Sequence, residues 1–184
     1  MKAWGYGLVF FWAIFYLCSV PLRAFPTSQQ LYLELYLECN DAAQLEKQKD
    51  YLGALVRYKI SGRFLDKLHK RDPGWEIDLL EERIHLCRDK VTELTPLAAE
   101  QILVPTRSTL SWGPGISRFF YEGSDLEQKK MYWSAIIPFE EYLTCLEVIQ
   151  HDDPKWQKDA VEKRIEEIRD RIVNLDRLAL HEIR

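Results

Sequence analysis

The chain has 184 residues, 47% hydrophobic and 29% charged, with a formal net charge of −4. That length suits one domain, or two very small ones, with a real core. Eight Gly and eight Pro are too few for a collagen-like or low-complexity chain, and dispersed, slightly acidic charge lacks the basic stripe of a nucleic-acid binder.

Ala3 to Leu22 contains no charged residue and is flanked by Lys2 and Arg23. A charged start, an apolar run and the small Ala24 match a secretory signal peptide over residues 1–24, leaving 25–184 as the mature domain. The alternative is a retained anchor, because about 20 apolar residues just span a bilayer. Pro21 and the aromatic-rich run favour cleavage. Export points to a periplasmic or cell-envelope location, where disulfides persist. The three cysteines left, Cys39, Cys87 and Cys145, are odd in number and widely spaced, with no Cys-x-x-Cys. They read as core thiols.

The elements in chain order are all helical. Gln29–Lys49 carries Leu31, Leu35, Ala42 and Leu45 at helical spacing. Tyr51, Ala54, Leu55, Tyr58, Gly62, Leu65 and Leu68 make the apolar stripe of a second helix. Asp72 then reads as an N-cap with Pro73 at the first helical position, opening a helix whose seam is Leu80, Ile84, Cys87, Val91 and Leu94. Thr95–Leu110 reads as a linker with a helical beginning, and Ile102-Leu103-Val104 is the one short strand-like run. Ser111–Gly115 breaks the pattern, and a shorter helix follows from about Ile116 to Lys130, weakened by Gly123.

Residues 50–94 then recur at 131–175 without a gap, at an offset of 81. Thirteen positions are identical, among them Tyr51/Tyr132, Ala54/Ala135, Asp72/Asp153, Pro73/Pro154, Trp75/Trp156, Arg83/Arg164 and Arg88/Arg169. Two unrelated amphipathic helix pairs would not share Asp-Pro-x-Trp at one place, so the chain contains a duplication, with units at about 28–94 and 116–175. The period allows about three helices per block.

Lys49–Leu55 followed by Tyr58 resembles the turn and second helix of a tetratricopeptide repeat: an Asp-Tyr turn, a small Ala54, then an aromatic four residues on. Ala42 and Leu45 fall where that family's first helix places a small and a large packing residue, and Tyr132, Ala135 and Phe139 keep the anchors in the second copy. The resemblance implies a right-handed helical stack whose first helices line a groove for partner peptides. Here that face offers Glu38, Cys39, Ala43 and Glu46, an acidic surface suited to a basic or neutral segment.

A catalytic constellation is not legible. His69, His85, His151 and His181 lack metal-ligand spacing, and His69 and His151 suit helix C-termini. Trp112–Gly115 lacks the Lys-Ser/Thr of a phosphate loop. The repeated Arg83/Arg164 and Arg88/Arg169 read as interhelical ion pairs, or as stems covering apolar surface, before anion sites. Trp112, Phe119, Phe120 and Tyr121 form an aromatic cluster that either caps the stack or meets a partner. The resulting expectation is an all-α, non-catalytic interaction module with a protein or peptide partner and no cofactor, metal or nucleic acid. Glu38, Glu46, Trp112, Phe119, Phe120 and Tyr121 are its candidate partner-binding residues. A membrane-tethered envelope subunit is the alternative, and a homodimer would cover the open end of so short a stack.

Overall fold

A computed structural model describes residues 26–109 and 113–180, with side chains outside 104–114. The signal-peptide expectation for 1–24 falls outside these residues. Six helices and no strand are present among the described residues: α1 (Ser28–Lys47), α2 (Tyr51–Arg71), α3 (Ile77–Thr109), α4 (Gly113–Gln128), α5 (Tyr132–Asp152) and α6 (Lys158–Ala179). α1 and α3 pack on α2, α4 and α6 pack on α5, and α5 joins the two groups by meeting α2 and α3. The chain is therefore two three-helix units, each built around its middle helix.

The duplication reaches the backbone. Among the described residues, the four non-glycine residues with positive φ are Lys49 and Lys130 (63° and 61°) and Glu76 and Gln157 (40° and 42°). Each pair is separated by the repeat offset of 81. After α1, the Asp50 amide donates to the Leu45 carbonyl and the Lys49 amide to that of Glu46, a Schellman turn with Lys where Gly is usual. After α4, Met131 and Lys130 repeat both bonds to Leu126 and Glu127. The next cap has diverged. Asp50 accepts from the Gly53 amide at 3.1 Å, and a Cβ on Gly53 would lie 2.7 Å from the Asp50 carboxylate. Met131 makes no side-chain cap, and Ser134 replaces that glycine.

Two sequence expectations are corrected. Asp72 and Asp153 do not open a helix; they close α2 and α5, and the next helices begin only at Ile77 and Lys158. The Asp-Pro-x-Trp segment is a turn in which the Trp75 and Trp156 amides each donate to the preceding Asp carbonyl at 3.1 Å. The turn drives both indoles against the core, and Trp75 packs on Tyr32 at 5.4 Å. Ser28 Oγ donates to Asp72 at 2.7 Å, tying the start of α1 to the end of α2. The second correction is Thr95–Leu110, expected as a linker. α3 continues through Thr109, including Ile102-Leu103-Val104. The helix runs on past Pro96 and Pro105 because Leu94, Ala98 and Ile102 extend the apolar seam at four-residue steps and are buried.

Gly123, expected to weaken its helix, is instead a packing device. It is buried in α4, and a Cβ there would meet the Phe139 ring at 2.9 Å. The glycine lets α4 approach α5 over a fully buried aromatic.

Candidate functional site

The sequence candidates divide between two helices, α1 and α4, that do not pack extensively on each other. Glu46 on α1 forms an ion pair with Lys90 of α3 at 2.8 Å. The same bridge recurs in the second unit, where Arg171 Nε donates to Glu127 at 2.7 Å. That carboxylate thus serves helix packing, and its hydrogen bond holds the Lys90 ammonium well above the usual lysine range. Glu38 is paired with Arg57 of α2 and accepts from Trp133 Nε1 of α5 at 3.2 Å. Trp133 also meets Phe64 edge-on at 4.9 Å. Glu38 therefore sits at the junction of the two units, with a cation already beside it.

The aromatic candidates lie in sequence on α4. Phe120 packs against Phe139 at 6.0 Å and Tyr142 at 5.7 Å, under the guanidinium groups of Arg164 and Arg171. Phe119 is half-buried beneath Arg118. Tyr121 stands outside, 69% exposed. Trp112 lies outside the described residues. The repeated arginines act as covering stems: Arg83 over Tyr36 at 4.7 Å, Arg164 over Phe120 at 5.2 Å, with Arg169 paired to Glu147 at 2.7 Å.

A further group of exposed apolar side chains, on α1 and α3, belongs to residues the sequence candidates did not include. Leu33 and Leu37 stand one turn apart on the outer side of α1, 56% and 49% exposed, beside Tyr36. Leu79 and Leu86 of α3 are exposed too, one turn either side of the Arg83 that stacks on Tyr36. Their counterparts in the second unit are polar or small: Ser117 for Tyr36, Arg118 for Leu37, Ala160 for Leu79 and Glu167 for Leu86. The signal was legible, since Leu31 to Leu37 carries leucine at every second position and a helix cannot bury them all.

Between the units lies a charged seam. Arg63 of α2 pairs with Glu140 of α5 and, through Nε at 2.8 Å, with Asp176 of α6; Lys67 reaches Asp176 at 2.6 Å. Glu140 and Asp176 are buried. Burial opposes the Arg63 charge, but the two carboxylates outweigh it and hold the guanidinium above its ordinary range. A groove of about 450 Å³ opens here among Lys59, Arg63, Glu140, Leu143, Arg169 and Asp176.

Titratable chemistry elsewhere is sparse. Among the described residues no cluster of three or more His, Cys, Asp or Glu could hold a metal ion, and no helix is long and apolar enough to cross a membrane. His85 and His151 are exposed, the latter in the last turn of α5. Glu141 is perturbed. Burial, reinforced by Asp50 and Glu122, pushes its carboxyl from 4.5 to about 7, against the opposing pull of Arg118 and Arg57. A carboxyl raised on folding contributes stability below pH 4.5 that is lost as pH rises through about 7. Glu141→Gln should therefore raise unfolding free energy by about 2–3 kcal/mol at pH 8 and leave it nearly unchanged near pH 4.5, read by urea titration at both pH values.

No family model matches the chain, and neither the curated proteins nor the solved structures yield a match.

Proposed function

We propose that the chain is a tetratricopeptide-like, non-catalytic interaction module of the cell envelope, exported through residues 1–24, whose partner is another polypeptide. The observation that carries this reading is the apolar surface of α1 and α3, present in one unit and replaced by polar or small residues in the other. Exposed leucines and a tyrosine on an outer face contribute nothing to the packing within their own unit, so their replacement in the other copy reflects what each face meets. A partner segment with an apolar stripe would cover Leu33, Tyr36 and Leu37, and Arg83 and Leu86 would border it. The export part of the reading is supported by the uncharged stretch Ala3–Leu22. The same stretch favours the second reading, a subunit tethered to the membrane by that segment.

The test is the double substitution Leu33→Glu and Leu37→Glu in the full chain, cross-linked in cells of its own source. Both side chains are exposed, so circular dichroism and Tm should hold. A polypeptide cross-linked to the native chain and lost from the variant supports the reading. Identical cross-linking by both, or none by either, overturns it.

A further inference from the structure

We propose that Cys39 and Cys87 are a redox pair, closing to a disulfide that fastens α1 to α3 when a peroxide reaches Cys39. The two Sγ atoms lie 3.5 Å apart, both side chains buried and both thiols free. A disulfide needs roughly 2 Å between the sulfurs, so about 1.5 Å of closure suffices, within the reach of side-chain rotation.

Repeat comparison sets these residues apart as a group. Cys39, Ser61, Gly62 and Cys87 correspond to Phe120, Tyr142, Leu143 and Ile168 in the second unit. Four bulky side chains fill that unit where the first has two thiols, a hydroxyl and a glycine. The glycine leaves room for the second thiol, since a Cβ on Gly62 would come within a tight 3.2 Å of the Cys87 Cβ. The fully buried Ser61 hydroxyl has no hydrogen-bond partner in the thiol state, yet it lies beside Cys39 and can donate to a thiolate there. A mere packing thiol needs neither.

The two sulfurs are also unequal. The Cys87 hydrogen bond, aided by Ser61 and the Arg83 charge, brings the Cys39 thiol down to about 7 against its burial. The same bond and burial push Cys87 up. Cys39 is the attacking sulfur and Cys87 the resolving one. A groove of about 470 Å³, a volume that holds a peroxide, is lined by Cys39 together with Asn40, Glu46, Arg83 and Lys90. The Cys39 thiolate attacks one peroxide oxygen, breaking the O–O bond; it becomes a sulfenic acid and the other oxygen leaves as hydroxide or alkoxide. Cys87 sulfur then attacks Cys39 sulfur, and its proton leaves with the sulfenic hydroxyl as water. Two thiols lose two electrons and the peroxide gains them.

Reduced full-length protein, treated with a few equivalents of hydrogen peroxide and quenched with iodoacetamide, provides the test by non-reducing peptide mapping. The expected product is a Cys39–Cys87 linked peptide with Cys145 alkylated only after unfolding, and a Tm raised by roughly 5–10 °C that dithiothreitol reverses. Cys39 and Cys87 both recovered alkylated, Cys39 carried on to sulfinic acid without a link, or a link through Cys145 would each overturn the proposal. Cys87→Ser gives a second reading: Cys39 should then be trapped as a sulfenic acid by dimedone, and its failure to react with dimedone also overturns it.

Discussion

Arg63→Ala should cost about 3–5 kcal/mol, because it leaves Glu140 buried without its cation. Asp176 keeps Lys67, so the loss falls chiefly on Glu140. The charge is what matters at this site, and replacing the pair by apolar groups of similar volume, Arg63→Met with Glu140→Leu, should recover most of the loss. Urea denaturation of the native chain, the single variant and the double variant measures all three. A loss below about 1 kcal/mol for Arg63→Ala would show that the seam is solvated and not a buried bridge. The variant should also loosen the coupling between units, since Arg63 and Lys67 of the first unit and Glu140 and Asp176 of the second supply four of the charges that cross between them.

Phe139→Ala should be as damaging, at about 3–5 kcal/mol, by opening a cavity among α4, α5 and α6. The ring is fully buried, touches Phe120, and carries the Arg171 guanidinium at 4.4 Å. Its fit to Gly123 makes a sharper test. Alanine in place of glycine inside a helix ordinarily gains about 0.5–1 kcal/mol. At Gly123 the sign should invert to a loss of about 1–3 kcal/mol, because the new Cβ would press on a ring that has no room to turn. Gly115→Ala, where a Cβ meets nothing within 4 Å, is the control and should be neutral or stabilising. Combined with Phe139→Ala, the Gly123→Ala penalty should disappear, a coupling that thermal or urea unfolding of the four species detects. Additive losses would mean that α4 and α5 do not meet at this pair.

How much of this was legible in the sequence depends on what each element is made of. The helices around Tyr51–Leu68 and Tyr132–Ile149 were plain, since apolar residues recur at three and four and the two copies reinforce each other. The Asp-Pro-x-Trp segment was visible but misassigned. An Asp-Pro pair serves equally to end one helix or begin the next, and only the Trp amide bonding back to the Asp carbonyl decides. The first helix of the second unit carried further signal: Leu45/Leu126, Glu46/Glu127 and Lys49/Lys130 are identical at the same offset and belong to the Schellman turn and the α1–α3 bridge. Those identities extend the duplication to a third helix.

The candidate site was less legible for a physical reason. Glu38 and Glu46 do occupy α1, but a carboxylate's partner comes from helices distant in sequence, here Arg57 and Lys90. Arg63 and Asp176 were equally hidden, being a cation within an apolar stripe and an acid 113 residues away. The nearness of Cys39 to Cys87 is likewise a tertiary fact, since their separation of 48 residues implies nothing until α1 and α3 lie side by side.

The proposed role rests on export first, and the most direct measurement is the intact mass of the protein expressed in its own source with the full N-terminus, read by cell fraction. The account predicts a chain shortened by residues 1–24, recovered soluble in the envelope fraction. An uncut chain in the membrane fraction would make residues 3–22 an anchor, and an uncut chain in the cytosol would contradict the account.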